Sequence, residues 1–441
     1  MLDPIETNPR DRRQRPSPWH ARLLPEVNGK RISWAGLISS DPMVRGCDQG
    51  AWFQRHAKEA LRHIVIPLNG THEDTCLFAR RRQEAAPGKR TSGIVYDLEH
   101  RDEGALTRLK YLLEAARAAG VMVGLSLFPG ESDAAGTPLH SSCNTQHLGL
   151  NSDNSARLAT ALQQAADSVS SAVRGCKGVW IEPFRGVSAR GTELDRALAR
   201  RIAETLAKHG EDLAPLPLGP WVATNVTAGW PESLNRQILP CDASAELDAP
   251  AGSVADWVQR IESRTRHPLV ETLFSPHAGQ PRLVRLAPGA LARHDVLWQL
   301  LLRGYWPLVA LAGGPTNSGD AALQRAVASV AQFSALWMTR GRLRATPEVL
   351  CDATEDGAAA ASDGVTRCFV FLPSGARDGV TLRLPPGSYR YYWVDPQAGT
   401  IVDRSDGIEG HARSAIPGCG NPDAHMLVLE SEDAPDNLTT W

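Results

Sequence analysis

The stretch Glu103–Phe128, EGALTRLKYLLEAARAAGVMVGLSLF, decides the fold. Its first part repeats apolar residues at helical spacing and predicts an amphipathic helix. Gly120 supplies the stop signal, because glycine adopts the left-handed conformation that ends helices. VMVGLSLF then follows, apolar at nearly every position, and predicts a strand buried on both faces. A helix that feeds such a strand is the repeating unit of a parallel sheet.

The same alternation extends in both directions. Upstream, KRISWAGLIS (30–39) is a first strand behind an Asn28-Gly29 turn, DQGAWFQRHAKEALR is helical, and HIVIPLN (63–69) is a second strand rich in β-branched residues. Downstream, SARLATALQQAADSVSSAVRG is a helix and GVWIEPF (178–184) a fourth strand. TELDRALARRIAETLAKHG is a helix ending at Gly210, and weaker strands follow at GPWVATN (219–225) and ASAELDA (243–249). VADWVQRIESRT is helical, HPLVETLF (267–274) is a seventh strand, HDVLWQLLLRGYW is helical and PLVALAGG (307–314) an eighth strand. Eight strands separated by helices fit an α/β fold of the (β/α)8 barrel type. An open doubly wound sheet is the alternative; no GxGxxG follows the first strand, which disfavours its dinucleotide-binding version. After Thr346 the texture changes to short alternating strands split by Gly and Pro, as in VTLRLPPGSYRYYWVDPQAGTIV. The division expected is a barrel over 1–345 and a small antiparallel β-sandwich over 346–441.

Composition narrows the function classes. A formal net charge of -2 on 441 residues gives no bulk attraction to nucleic acid or an anionic membrane. The runs PRDRRQRP and ARRRQ are short and read as solvated loops. The longest apolar stretch, LLLRGYWPLVALAGG, is broken by Arg303 and falls short of the roughly 18 residues a spanning helix needs. The N-terminus has no apolar signal region, which favours the cytoplasm over secretion. The eight cysteines form no CxxC pair, so neither a zinc ribbon nor a redox motif is expected. HSSCNTQH, with His140, Cys143 and His147, offers metal-ligating residue types, but a polar loop accounts for it better.

In such a barrel, chemistry gathers at the C-terminal ends of the strands. The fourth strand ends in Glu182, the seventh carries Glu271, the sixth offers Glu246 and Asp248, and the second runs into Asn69, His72, Glu73 and Asp74. Two carboxylates facing one another across the mouth, about 5–5.5 Å apart, suit a retaining glycosidase. Their repulsion raises one pKa so that this residue serves as the acid. A metal-dependent hydrolase built on His72 with Glu73 or Asp74 is the other chemistry open to these residues, although no matching His cluster stands at other strand ends.

WIEP resembles the strand-four Asn-Glu-Pro signature of clan A glycoside hydrolases, the group that includes the family 5 cellulase-like enzymes. HPLVETLF is similar to their strand-seven pattern, with the Glu one position early, and VNGKRISWAG to the turn that opens their first strand. YDLEHRDEGALTRLKYLLEAARAAGVMVGLSLF resembles their third βα unit. RGYWPLVALAGG resembles the eighth strand of a family of uncharacterised glycosidase-like proteins (DUF4038), and FLPSG with WVDPQAG resembles the collagen-binding-type β-domain that follows it. The resemblance implies a retaining β-glycoside hydrolase with Glu182 as acid/base and Glu271 as nucleophile, acting on a carbohydrate without metal or organic cofactor. It implies sugar platforms at Trp34, Trp221 and Trp306 and hydroxyl-binding residues at Asn69, His72, Asn144 and Asn225. Ile181 stands where the family carries Asn. A catalytically inactive carbohydrate-binding or scaffold protein on the same fold is the alternative.

Overall fold

The computed structural model describes residues 26–27, 30–33, 35–70, 72–82, 94–129, 136–149, 155–174, 176, 178–185, 216–218, 238–240, 282–286, 294–303, 305–311, 318–337, 344–351, 358–362, 367–373, 375, 379–421 and 425–432. Eight strands follow the barrel order. They are β1 (Gly36–Ile38), β2 (His63–Pro67), β3 (Met122–Pro129), β4 (Val179–Arg185), β5 (Leu216–Leu218), β6 (Ile238–Pro240), β7 (Arg282–Leu286) and β8 (Tyr305–Ala310). Six of them form one parallel sheet in the order β7-β8-β1-β2-β3-β4, and β5 pairs in parallel with β6. β4 and β5 lie side by side. Pairing of the last strand with the first, through Leu308–Gly36, Val309–Leu37 and Ala310–Ile38, is what an open doubly wound sheet lacks.

Strands one to four and eight lie where the sequence puts them. The fifth, sixth and seventh positions in the order are filled by Leu216–Leu218, Ile238–Pro240 and Arg282–Leu286. The stretches expected there, 219–225, 243–249 and 267–274, lie outside the described residues. Short strands interrupted by Pro217 and Pro240 carry little periodicity, which is why the stronger apolar runs nearby drew the reading.

Three described helices cover the first half of the barrel: α1 (Gln49–Lys58), α2 (Glu103–Ala119) and α3 (Ser155–Val173). Asp48 and Asp102 cap α1 and α2, accepting from the amides of Ala51 and Ala105. Gly120 ends α2 at φ 67°, the left-handed conformation expected of it. Strand residues Ile64, Ile66, Val123, Leu125, Val179 and Ile181 are all buried in one continuous core.

The C-terminal part holds β9 (Arg344–Ala345), β10 (Ala359–Ser362), β11 (Arg367–Phe371), β12 (Val380–Leu382), β13 (Ser388–Asp395), β14 (Thr400–Glu409), β15 (Ser414–Ile416) and β16 (Met426–Ser431). One antiparallel sheet runs β9-β10-β11-β16-β13-β14, and β12 pairs with β15 in a second. Alternation sorts the large sheet's residues onto two faces. Val370, Trp393, Leu427 and Leu429 pack toward β12 and β15 in their own core. Phe369, Phe371, Val394, Met426 and Val428 join the barrel core instead. They meet α4 (His294–Leu302) and α5 (Ser318–Trp337): Trp298 stacks with Phe371, and Phe333 meets Phe369 edge-on. The sequence reading did not single out α5, although its spacing is helical. Among the described residues, no helix is long and apolar enough to cross a membrane.

Arg367 fastens this seam. Its Nε and Nη2 donate to Glu430 Oε1 at 3.0 and 2.9 Å, and Nη1 donates to the carbonyl of Trp337, the last residue of α5, at 3.0 Å. Arg367→Met leaves Glu430 without this cation and is expected to cost about 3 kcal/mol. Equilibrium urea unfolding reads the loss.

His56 on α1 supplies a pH dependence. Its ring stacks on Trp52 at 3.8 Å, Nδ1 donates to the Trp52 carbonyl at 2.9 Å, and the buried Nε2 has no hydrogen-bond partner among the described residues. Burial pushes its pKa down, so the fold holds it neutral. The unfolded chain then binds the extra proton, and stability is lost as pH falls below about 6.5, by at most about 1.4 kcal/mol per pH unit. The slope of unfolding free energy against pH between 6.5 and 5 is expected to be shallower in His56→Leu than in the wild type.

Candidate active site

The C-terminal ends of β1–β8 converge on one mouth. Register places Glu182 of β4 level with Ser126 of β3, which is level with Pro67 of β2. Two residues earlier on β4, Trp180 is level with Gly124, and its Nε1 donates to His63 Nε2 on β2 at 2.9 Å. Alternate strands converge on the concave side of a closed sheet, so this face is the lumen. By strand alternation Ile181 belongs to the outer face, and it is fully buried in the core. Ile181 is therefore a packing residue of the core.

The loops after β2 and β3 form one side of the rim. Leu68 continues the ladder by donating to the Ser126 carbonyl, and the chain turns at Asn69 with φ 52°. The Asn69 amide donates to the Leu127 carbonyl at 2.9 Å and accepts from the Leu77 amide at 2.8 Å. A short 3-10 turn, Glu73–Thr75, is capped by His72, whose Nδ1 accepts from the Asp74 amide at 3.3 Å. An antiparallel hairpin of Phe78–Arg82 and Ile94–Arg101 follows. The Tyr96 amide donates to the Cys143 carbonyl and the Tyr96 carbonyl accepts from the Thr145 amide, both at 2.8 Å, tying the hairpin to the loop over 136–149. Burial pushes the Tyr96 phenol up to about 12.

Within that loop Asn144 is a hub. Its Nδ2 reaches the carbonyls of Pro138, His140 and Leu148 at 2.9, 3.0 and 2.6 Å, and its Oδ1 accepts from the Leu148 amide at 2.9 Å. Asp97 makes a second knot, accepting from Gln146 Nε2 and the Glu99 amide and pairing with Arg81 and His100. Burial pushes the Asp97 carboxyl up, but the hydrogen bonds from Gln146, the Glu99 amide and His100, together with the Arg81 cation, prevail and hold it below the usual carboxylate range. Arg80 bridges to Glu73 at 2.8 Å.

The residues anticipated from sequence divide three ways. Glu182 lies on the fourth ring strand, level with Ser126. Asn69 and Asn144 are buried, and their amides are bonded to the backbone of the rim. Trp306 lies near the start of β8, level with Leu283, and is 7% exposed within the core, while His72 is exposed. Trp34, Trp221, Asn225 and Glu271 lie outside the described residues; β7, the strand that pairs with β8, begins at Arg282, further along the chain than Glu271. In the loop around Cys143, His140 Nδ1 and Ser142 Oγ are 2.7 Å apart, and among the described residues no three His, Cys, Asp or Glu gather as a metal set. The His63–Trp180 pair and the Asp97 knot escaped sequence reading because the partners are 117 and 49 residues apart for Trp180–His63 and Gln146–Asp97.

These features define a closed α/β barrel followed by an antiparallel β module. No family model and no curated protein sequence matches the chain. Among solved structures, the chain is similar to a glycoside hydrolase family 5 protein from Bacteroides vulgatus, with a TM-score of 0.59 at 10% identity, over 91% of this chain and 89% of that one. It is also similar to a structure described as a glycoside hydrolase, with a TM-score of 0.57 at 10% identity, over 95% of this chain and 98% of that one. The chain thus shares the fold of these structures.

Asn69→Ala removes an amide that satisfies one buried carbonyl and one buried N–H. It is expected to cost about 1–3 kcal/mol in urea unfolding. Faster amide exchange at Leu77 would accompany the loss.

Proposed function

We propose that the chain is a retaining β-glycoside hydrolase acting on an oligo- or polysaccharide or a glycoside. The observation that carries this reading is Glu182 on the fourth strand, level with Ser126, in a barrel whose fold is shared with a family 5 structure. In this reading Glu182 protonates the departing glycosidic oxygen and then takes a proton from water. Glu271 is the proposed nucleophile at the anomeric carbon. Trp34 and Trp221 are the proposed platforms, since pyranose C–H faces pack on aromatic rings, and His72 is an exposed hydroxyl-binding candidate on the rim. The barrel over 1–345 would bind the sugar, and the module over 346–441 would brace it.

A second reading, a carbohydrate-binding barrel without hydrolysis, is favoured by a specific observation. β7 pairs with β8 and is followed by Ala287, Pro288, Gly289 and Ala290, which bring no carboxylate to the end of that strand. Ile181 in the family's Asn position points the same way.

Turnover of aryl β-glycosides by the wild type separates the two. If the chain hydrolyses, Glu182→Gln is expected to lower kcat by about 10²–10⁴-fold. The loss should be smaller for substrates whose leaving groups need no proton. Glu271→Gln is expected to abolish turnover while sugar binding persists in calorimetry, and proton NMR should show the β-anomer as first product. Turnover that survives both substitutions would exclude these roles. Sugar binding with no turnover in the wild type would select the second reading.

A further inference from the structure

We infer that Tyr96 binds a sugar hydroxyl, at a subsite between the loops that follow β2 and β3; this rests on the proposed reading of the barrel as a carbohydrate binder. Tyr96 lies on the second strand of the rim hairpin, directly opposite Arg80. Opposed residues of an antiparallel pair share a face. From that face Arg80 reaches Glu73 at 2.8 Å. Glu73, Cys76 and Cys143 all lie close enough to the phenol to oppose its ionisation. The ring therefore sits in the crease between the Glu73–Thr75 turn after β2 and the 136–149 loop after β3. That crease is on the carboxyl side of both strands, where barrels take their ligands.

Tyr96 is only 6% exposed, and a tyrosine this buried usually gives its hydroxyl a partner. Tyr389 does so, donating to the Pro385 carbonyl at 3.1 Å. The Tyr96 hydroxyl makes no hydrogen bond among the described residues. Side-chain atoms sealed from solvent without a partner include His56 Nε2 and Arg108 Nε but not Tyr96 Oη, so the tip of this buried ring reaches solvent. Its backbone is pinned on both sides, to Cys143 and Thr145, so the hydroxyl is held in place before any ligand arrives. Packing alone would be served by phenylalanine, which has no hydroxyl to desolvate. Glu73 engages only Oε2, toward Arg80, and leaves Oε1 free among the described residues. His72 Nδ1 accepts from the Asp74 amide, so its exposed ring donates at Nε2. A hydroxyl both accepts and donates, and a free donor near a free acceptor matches it. The Glu73 carboxylate disfavours an anion, and the Arg80 cation is already paired, so a neutral sugar ring is the ligand class that fits. Burial first, then the neighbouring thiols and carboxylate, push the phenol up to about 12, which keeps it a donor at neutral pH.

The test uses the full chain with ¹³C-labelled tyrosine rings. Tyr96→Phe removes one hydroxyl and identifies the Tyr96 resonance among the six tyrosines. The probes are cellobiose, laminaribiose, gentiobiose, mannobiose and xylobiose. At least one is expected to shift the Tyr96 resonance, and to bind Tyr96→Phe about 2–10-fold more weakly in calorimetry. Because the hydroxyl supports nothing else in the fold, the melting temperature of Tyr96→Phe should stay within about 2 °C of wild type. If the wild type turns over an aryl β-glycoside, the loss should fall on KM with kcat little changed, the mark of a contact made equally in ground and transition states. A probe that binds both forms equally and leaves the Tyr96 resonance unmoved would overturn the inference while sugar binding stands. A larger fall in melting temperature would overturn it as well, by showing that the hydroxyl serves the fold. Binding that depends on Tyr96 in a wild type without turnover would keep the subsite and end the hydrolytic reading. Binding of none of the five probes would end both the subsite and the carbohydrate reading.

Discussion

Pairing of β8 with β1 is the constraint on which the rest of the molecule depends. A parallel sheet that closes on itself has no free edge at the join, and strand order around it must follow chain order. All carboxyl ends then point to one mouth, so any residue at the end of a strand is brought near residues distant in sequence. Glu182 owes its candidacy to this geometry more than to its neighbours along the chain.

The rim shows how polar loop residues are apportioned between structure and ligand. Asn69 and Asn144 carry the amide chemistry that recognises sugar hydroxyls, yet both are bonded to main-chain groups of their own loops. A barrel with long βα loops must satisfy the backbone of those loops somewhere, and buried amides are an economical way of doing so. The Asp97 knot serves the same end for the hairpin, with charge replacing the amide. This side of the mouth is consequently built as a fixed wall.

The first strand was legible as an apolar run behind the Asn28-Gly29 turn, and the next three because each is an apolar run preceded by a helix with a clear periodicity and, at Gly120, a stop signal. The seventh was not. HPLVETLF is the stronger apolar pattern, whereas RLVRL, which pairs with β8, alternates with arginines and resembles a solvated strand. The module after Thr346 was legible from its turns, but the double burial of its large sheet was not. Alternation tells which residues share a face and says nothing of what covers it. Of the candidate site, Glu182 could be read from its strand. The His63–Trp180 bond could not, because it crosses a glycine on a third strand and exists only once the sheet has curved.

The order β9-β10-β11-β16-β13-β14 puts the last strand of the chain near the middle of its sheet. During synthesis, β11 and β13 therefore have no partner between them until Met426–Ser431 has left the ribosome. Until then the sheet face that covers α4 and α5 is incomplete, lacking Met426 and Val428, although the barrel residues that precede it are already available to fold. The nascent chain passes through a late stage with unpaired strand edges and exposed aromatic surface, the condition that invites chaperone binding or aggregation.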